Sequence, residues 1–218
     1  IRLGESTSTD DAEGETTATA DASALTDKQV RSALAAFVGD LDQVPSSVSA
    51  IKVDGKRAYT RVREGEQVEL KPRRITIHGV DVLDTRPGGV FDVDLAVRCS
   101  SGTYVRAIAR DLGAALGVGG HLTALRRTAV GPFTLDAART LDQLADELTV
   151  LPIGAVARTC FPSYDLGAEQ ATDVGFGRKL TLTLTAEGPV ALFAPDGAFL
   201  ALYQQDGERA RAVAVFPD

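Results

Sequence analysis

Two stretches of the chain alternate apolar and polar residues with the two-residue period of a β-strand. They cover residues 73–84 and 90–99. In the second stretch, every other position from Phe91 to Cys99 is apolar, so these side chains share one face of the predicted strand. Cys99 therefore belongs to the apolar face, and we interpret it as a buried structural thiol rather than a nucleophile.

Capping boxes predict two helices. Thr26 and Gln29 have the spacing of the first box, and Gly39 follows a run of apolar residues at helical spacing: Val30, Leu34, Phe37 and Val38. We expect this helix to bury those four side chains and to stop at Gly39. Thr140 and Gln143 form the second box, which predicts another short helix.

A further helix is predicted after a glycine-containing turn, Ser100-Ser101-Gly102-Thr103. Its expected buried stripe consists of Val105, Ile108, Ala109, Leu112 and Leu116. Arg106 and Arg110 are one turn apart and project from another side of the helix. Three glycines close the helix at positions 117, 119 and 120.

The remaining patterns outline the rest of the chain. Residues 4–24 are small, polar and acidic, which predicts a surface loop. Val48 to Val53 is a predicted strand that ends at the turn signal Asp54-Gly55. A change of composition near residues 151–152 precedes a predicted helix at 168–175 and four predicted strands, at 180–185, 189–194, 198–204 and 209–216. These last elements predict a small β domain.

Positive charge is concentrated in two segments of a chain whose net charge is −7. Residues 52–74 carry eight basic and four acidic side chains, and residues 98–127 carry five basic and one acidic. A confined basic patch is typical of phosphate binding, although two solvated faces with extra arginine would give the same pattern. Residues 1–42 carry three basic and nine acidic side chains.

Composition excludes several classes of protein. Two cysteines rule out a disulfide scaffold and a cysteine-rich zinc site, and two histidines leave little for a histidine metal site. We expect His78 and His121 to be structural. No apolar run reaches the ~18 residues of a membrane span, so we predict no membrane partner. The chain lacks methionine and opens on Ile1, from which we expect an N-terminal piece to precede it.

The turn into the helix at residue 104 holds the candidate chemistry. Tyr104 offers an aromatic face for stacking and a hydroxyl group, at a helix start where backbone N–H groups can face a ligand. Arg106 offers a cation that can orient a carboxylate or a phosphate. The alternative is that Tyr104 belongs to the core and Arg106 is a surface charge.

Three sequence blocks resemble the TruB family of bacterial tRNA pseudouridine synthases. Residues 98–133, RCSSGTYVRAIARDLGAALGVGGHLTALRRTAVGPF, are similar to its central motif. Residues 44–65, VPSSVSAIKVDGKRAYTRVREG, and residues 1–15, IRLGESTSTDDAEGE, match two other blocks in the same order. Residues 166–180, LGAEQATDVGFGRKL, resemble a PUA-type RNA-binding domain.

The resemblance implies an α+β fold in two domains. Residues 1–150 would form the catalytic domain, with a mixed, mostly antiparallel sheet, flanking helices and an RNA-binding thumb inserted at about 48–74. Residues 151–218 would form a small β-barrel-like, PUA-type domain. The implied protein is a cytoplasmic, monomeric enzyme that needs no cofactor or metal and no protein partner.

The resemblance also implies an activity and its residues. The family isomerises a uridine in the TΨC loop of tRNA to pseudouridine, using an aspartate from a G-x-LD-x-x-A-x-G block. That block does not occur in this chain, and we do not expect Asp10 or Asp11 to replace its aspartate. By resemblance, Tyr104 packs on the target base, Arg106 pairs with the nucleophilic aspartate, and Leu125 lines the uracil pocket beside Arg126 and Arg127.

The basic segment matches the family's thumb, which closes on the T stem-loop. Its predicted phosphate contacts are Lys52, Lys56, Arg57 and Arg61, and Tyr59 either stacks on a base or anchors the thumb. Two other functions remain open: a non-catalytic tRNA-binding or tRNA-folding module, and a relative guided by a separate RNA. A preceding block that contains Leu-Asp would favour the enzyme, and the chain has no basic tail that favours the RNA-guided type.

Overall fold

A computed structural model describes residues 1–46, 52–53, 56–57 and 70–216, the two short segments by their backbone alone. The chain forms two compact units, residues 1–126 and residues 127–218. The predicted domain boundary falls later in the sequence, after residue 150. Each unit has its own sheet, helices and apolar core, and these elements confirm the predicted α+β fold class.

A five-stranded antiparallel sheet forms the centre of the first unit, in the order β4-β7-β8-β1-β9. Its strands are β1 (Arg2–Leu3), β4 (Gly39–Gln43), β7 (Arg73–Arg86), β8 (Phe91–Cys99) and β9 (Gly120–His121). The long β7–β8 hairpin confirms the two alternating stretches of the sequence. Phe91 and Val93 are fully buried in the core, whereas Asp94 is exposed, as the two-residue period requires.

Two helices pack against this sheet, α1 (Asp27–Ala35) and α2 (Val105–Ala115). The predicted capping box of α1 is present: the Gln29 N–H donates to the Thr26 hydroxyl over 3.3 Å, and the Thr26 N–H donates to the Gln29 side chain over 2.9 Å. The buried side of α2 includes Ile108, Ala109 and Leu112. A Cβ at Gly113 would lie 2.1 Å from the backbone of Gly119, so only glycine lets α2 approach the start of β9 this closely.

Three predictions for the first unit need correction or fall outside the described residues. The composition of residues 4–24 predicts a loop, but β2 (Glu5–Thr7) and β3 (Thr16–Thr19) pair in an antiparallel hairpin there. The helical spacing predicts that Val38 is buried, but it lies beyond the end of α1 and is exposed. Most of the predicted strand at 48–53 lies outside the described residues; its end, β5 (Lys52–Val53), pairs with β6 (Lys56–Arg57) around the predicted turn.

The second unit carries a four-stranded sheet in the order β12-β13-β14-β15. Its elements are β10 (Ala129–Val130), β11 (Phe133–Thr134), a 3₁₀ turn (Leu135–Ala137), α3 (Leu141–Asp146), α4 (Ile153–Cys160), β12 (Ser163–Asp165), α5 (Ala168–Gly175), β13 (Val190–Phe193), β14 (Phe199–Asp206) and β15 (Arg209–Val215). Strands β12 and β13 are parallel, and the other two pairs are antiparallel.

Local signals in the second unit predict most of its elements correctly. The capping box at Thr140, the helix at 168–175 and the last three predicted strands are all present. The predicted strand at 180–185 is wrong: only Leu180 forms a bridge, to Ala210. Its alternating leucines at 180, 182 and 184 are still buried in the core. The two-residue period therefore predicted correctly which side chains are buried, although the segment does not pair as a strand. The sequence patterns do not indicate the helix α4.

Candidate functional site

The turn between β8 and α2 is anchored to the neighbouring strand. The Thr76 N–H donates to the Ser100 hydroxyl over 3.0 Å, and the Ser100 N–H donates to the Thr76 carbonyl over 2.8 Å. Gly102 has a φ of +81°, a backbone conformation that favours glycine, and the Thr103 hydroxyl donates to the Ser100 carbonyl over 2.9 Å. The start of α2 is therefore held in place by the strand β7.

Tyr104 is the N-cap residue of α2, at the turn into this helix. Its side chain makes no capping hydrogen bond. The side-chain amide of Gln43 contacts its backbone instead: Gln43 Oε1 accepts from the Tyr104 N–H over 2.8 Å, and Nε2 donates to the Tyr104 carbonyl over 3.1 Å. Tyr104 and Arg106 are both half-buried, so neither is sealed in the core.

Arg106 forms an ion pair with Asp11, from the loop between β2 and β3. Only 8% of Asp11 is exposed. The other oxygen of its carboxylate accepts from the Thr9 hydroxyl over 2.5 Å and from the Glu13 N–H over 3.1 Å. A buried carboxylate needs such partners, because removal from water is costly when hydrogen bonds do not replace it. Asp11 is therefore held in one orientation against Arg106.

Arg110, one turn further along α2, contacts carboxylate and carbonyl oxygens of its own. Its Nη1 lies 3.5 Å from the Asp10 carboxylate, and its Nη2 donates to the Val44 carbonyl over 2.8 Å. Its Nε donates to Asp111 over 2.8 Å, and the Pro45 carbonyl lies 3.4 Å from Nη1. One face of α2 thus binds both the Asp10–Asp11 loop and the chain that follows β4.

Asp10 has a strained backbone and an unfavourable electrostatic environment. Its φ of +59° is rare for a residue with a side chain. Burial raises the pKa of the Asp10 carboxyl above its usual range, although the Ser46 hydroxyl and the Arg110 guanidinium oppose this effect. Asp10 also fixes the chain directly after β9, because the Leu122 N–H donates to its carbonyl over 3.0 Å. Strain of this kind marks a loop that the surrounding structure holds in place.

The other predicted residues lie outside this network. Leu125 and Arg126 follow Leu122 by three and four residues, and both are exposed, Leu125 by 62%. Their roles beside the uracil pocket stay predictions. The backbones of Lys52, Lys56 and Arg57 lie in the β5–β6 hairpin. Tyr59 and Arg61 lie outside the described residues.

The two histidines occupy different environments. His78 is exposed on β7. His121 is buried in β9, where Nδ1 lies 3.1 Å from the Glu5 carbonyl. Because a carbonyl oxygen can only accept, Nδ1 carries a proton and ties β9 to β2. Within residues 1–46 and 70–216, no group of three or more His, Cys, Asp or Glu side chains is arranged to hold a metal ion.

A cleft in the second unit contributes little to this site. A cleft of about 310 Å³ in the second unit is lined mostly by apolar residues around β10 and β11, and Arg127 is its one titratable lining residue. It offers no acid–base pair, so the polar network at α2 is the better candidate.

In the part of the chain that the structure describes, no helix is long and apolar enough to cross a membrane.

The sequence patterns do not mark five members of the network: Asp10, Asp11, Gln43, Ser46 and Arg110. Arg110 stands out in the sequence only for its spacing from Arg106, and Asp11 only as part of an acidic loop. A usable signal existed for Asp11, since an arginine with a predicted site role needs a carboxylate partner and Asp10-Asp11 is the acidic pair of the first sequence block. Nothing in the sequence marks Gln43 and Ser46 as buried.

Family models match almost the whole chain. The TruB family pseudouridylate synthase N-terminal domain matches residues 1–105, and the tRNA pseudouridylate synthase B C-terminal domain matches residues 106–152. A model described as tRNA pseudouridine synthase II, C terminal, matches residues 161–217.

Curated relatives and solved structures agree with these matches. The tRNA pseudouridine synthase B of Arthrobacter sp. (strain FB24) is 56% identical over 227 residues, which cover 99% of this chain and 74% of the relative. That of Streptomyces griseus subsp. griseus is 53% identical over 222 residues, with the same coverage.

A chain in the crystal structure of a Cbf5-Nop10-Gar1 complex has a TM-score of 0.66 at 20% identity; the match covers 90% of this chain and 64% of that one. A chain in the structure of an H/ACA RNP bound to a substrate RNA containing 2'-deoxyuridine has a TM-score of 0.64 at 19% identity, over 89% of this chain and 62% of that one. These two likenesses concern the fold alone. The family models and the curated relatives carry the conclusion: the chain belongs to the TruB family of tRNA pseudouridine synthases.

Proposed function

We propose that the protein isomerises a uridine in the TΨC loop of tRNA to pseudouridine, through an aspartate nucleophile. The reaction breaks the bond between N1 of the base and C1′ of the ribose and forms a bond between C5 and C1′. The proton on C5 leaves and N1 gains one, so atoms and electrons balance without an oxidant, a reductant or a cofactor. The relatives' shared name as tRNA pseudouridine synthases supports this assignment.

The observation that carries the proposal is the pair Tyr104 and Arg106 at the start of α2. Both residues are half-buried, and Arg106 fixes the Asp11 carboxylate of the neighbouring loop. A base in the T loop must leave its stack to react, which costs a few kcal/mol. The ring of Tyr104 can stack on the extruded base and recover part of that free energy.

Arg106 organises the carboxylates of the proposed site. Asp11 contacts one of its terminal nitrogens, Nη2. Since a guanidinium has five N–H donors, a second carboxylate can bind the same arginine. We propose that this second carboxylate is the nucleophilic aspartate of the family's G-x-LD-x-x-A-x-G block. A neighbouring guanidinium favours the ionised form of a carboxylate, which is the form that attacks C1′.

Two parts of the chain supply RNA contacts in this proposal. The basic segment 52–74 binds backbone phosphates of the T stem-loop, with Lys52, Lys56, Arg57 and Arg61 as contacts and Tyr59 as a stacking or anchoring residue. Residues 151–218 form a PUA-like domain with a smaller share of the affinity, in keeping with their excess of acidic residues. Leu125 and Arg126 flank the uracil. The protein acts as a monomer, and its tRNA substrates place it in the cytoplasm.

The decisive experiment measures loss of the C5 hydrogen. Full-length protein is incubated with tRNA that carries tritium at C5 of its uridines, and with isolated T and anticodon stem-loops labelled in the same way. We expect stoichiometric release of one tritium per tRNA and per T stem-loop, and none from the anticodon stem-loop. Tight binding without release would favour the non-catalytic tRNA-binding module, and release from both stem-loops would refute T-loop selectivity.

A further inference from the structure

Gln43, the last residue of β4, is buried in an unusual way for an uncharged polar side chain. Only 2% of it is exposed, and both ends of its amide are used on one residue, 61 positions away. Its oxygen accepts from the Tyr104 N–H, and its nitrogen donates to the Tyr104 carbonyl. These two bonds give Tyr104 the pair of backbone contacts that a neighbouring β-strand would otherwise supply.

The contact matters because Tyr104 lacks the usual stabilisation of a helix start. Its backbone is extended, with φ −97° and ψ 103°, and its own side chain makes no capping bond. The first N–H groups of a helix have no partner within the helix. Two hydrogen bonds in opposite directions fix the plane of the backbone at this residue, and the direction of Cα–Cβ follows from that plane. Gln43 therefore sets where the phenol ring can lie.

The residues after Gln43 are held by the same helix. The Val44 carbonyl accepts from Arg110, and Ser46 is buried with its hydroxyl 3.5 Å from the Thr9 carbonyl. Beyond Ser46 the chain enters the basic segment proposed to bind RNA. The short stretch 43–46 thus connects that segment to Tyr104, to Arg110 and to the loop that carries Asp11.

We propose that Gln43 is a positioning residue for catalysis: it holds the backbone of Tyr104 so that the ring meets the extruded base at the angle the reaction needs. Gln43 itself touches no reacting atom. This inference rests on the proposed function, and it assigns to the end of β4 a role in the rate of isomerisation rather than in RNA affinity.

The test uses full-length protein with Gln43→Ala or Gln43→Glu, and Gln205→Ala as the matched control. Gln205 also uses both ends of its amide on backbone groups, but on two different residues of the second unit: it accepts from the Leu184 N–H over 2.7 Å and donates to the Gly207 carbonyl over 2.9 Å. Single-turnover tritium release, the Kd for tRNA and the melting temperature are measured for each variant. We expect Gln43→Ala to lower the single-turnover rate at least about tenfold, with Kd changed by less than about threefold. Gln205→Ala should keep the wild-type rate.

The Gln43→Glu variant separates positioning from general stability. When ionised, the introduced carboxylate can accept from the Tyr104 N–H but cannot donate to its carbonyl; when protonated, its O–H restores the donor. Burial raises the pKa of a glutamate, so the rate of Gln43→Glu relative to wild type should rise several-fold between about pH 8 and about pH 6. This series decides the matter even if Gln43→Ala does not fold.

Three results would overturn the inference. They are a rate for folded Gln43→Ala within about twofold of wild type, a flat pH ratio for Gln43→Glu, and rate losses matched by equal losses of tRNA affinity. If wild-type protein releases tritium and these results appear, only the role of Gln43 fails. If wild-type protein itself releases none, the proposed function fails.

Discussion

The two units of this protein use burial in opposite ways. Among the described residues, the buried polar and charged side chains Asp11, Gln43, Ser46 and His121 all belong to the first unit. The second unit buries aliphatic and aromatic side chains; the hydroxyl of its one buried tyrosine, Tyr203, donates to the Arg178 carbonyl over 2.8 Å. Buried polar groups must be paired to be tolerated, and each pairing fixes an orientation.

This difference indicates a division of tasks. In the first unit, buried Asp11 binds Arg106 and buried Gln43 binds the backbone of Tyr104, so the cost of desolvating these two polar groups is offset by a fixed geometry at the candidate site. In the second unit, Leu192 and Phe193 lie in a core that gains stability from apolar burial. Perturbing the first unit should therefore change rates, and perturbing the second should change stability.

The largest effect is expected at Arg106. Arg106→Ala should lower turnover well over tenfold, because the carboxylates of the site lose their shared cation. It should also lower the free energy of unfolding by about 1–3 kcal/mol, since Asp11 stays buried without its ion-pair partner. The double variant Arg106→Ala/Asp11→Asn should recover much of the stability and none of the turnover. Wild-type turnover in either variant would contradict the role, as measured by tritium release and thermal melting.

Leu192→Ala should produce the opposite pattern. Leu192 is fully buried in the core of the second unit. Truncating a buried leucine costs about 2–5 kcal/mol through lost burial and the cavity left behind. We expect a lower melting temperature and, below it, an unchanged single-turnover rate for bound tRNA. If the rate falls at temperatures where the variant is fully folded, the second unit also affects the rate, and the proposed division of tasks is wrong.

Charge reversal should locate most of the RNA affinity in the first unit. Lys56→Glu/Arg57→Glu should raise the Kd for tRNA at least about tenfold and reduce the salt slope of log K by about 0.7–0.9 per lost phosphate contact. Arg178→Glu/Lys179→Glu is the matched pair in the second unit. Those side chains already pair with Asp173 and Asp206, over 2.7 and 3.1 Å, so we expect less than about a threefold change. Equal effects in a filter-binding assay would refute the difference.

The smallest effect is expected from the charge on Asp10. Burial raises the pKa of Asp10 in the folded protein, so its stabilising contribution is complete below the ordinary value of 3.8 and is lost as pH rises through the folded pKa. Relative to Asp10→Asn, wild type should become less stable by under about 1 kcal/mol between pH 4 and pH 7, because Arg110 and Ser46 offset part of the burial. Denaturant unfolding at several pH values measures this difference, and the reverse trend would contradict it.

The secondary structure was largely predictable because its signals are local. The β7–β8 hairpin follows from a two-residue period, and α1 and α3 follow from capping boxes whose hydrogen bonds span three residues. Signals failed where an element depends on distant partners. β4 has only five residues, three of them Asp or Gly, and it is a strand because it pairs with β7. The leucines of 180–184 kept their period but found no partner strand beyond one bridge.

The candidate site was half predictable. Tyr104 and Arg106 could be found from the turn-to-helix pattern and the family resemblance. Asp11 had only an indirect signal, the carboxylate partner that Arg106 needs, and Gln43 had none. The distribution of charge illustrates the reason. Residues 98–127 have a positive balance in sequence, yet Arg106 and Arg110 pair with Asp11 and Asp10 of the acidic N-terminal segment. In the folded protein, these two arginines are thus neutralised by acidic residues that lie far away in the sequence.

The sequence by itself determined the β7–β8 hairpin, the helices α1, α2, α3 and α5, the faces that α2 and β8 bury, and which family the blocks resemble, because these properties depend on residues within a few positions of each other. Tertiary structure alone decided that the end of β4, the Asp10–Asp11 loop and the first turns of α2 meet. The contacts made by α2 join residues 61 to 100 positions apart, and the contact between Ser46 and Thr9 joins residues 37 positions apart. They depend on sheet register and loop closure, which no local pattern encodes.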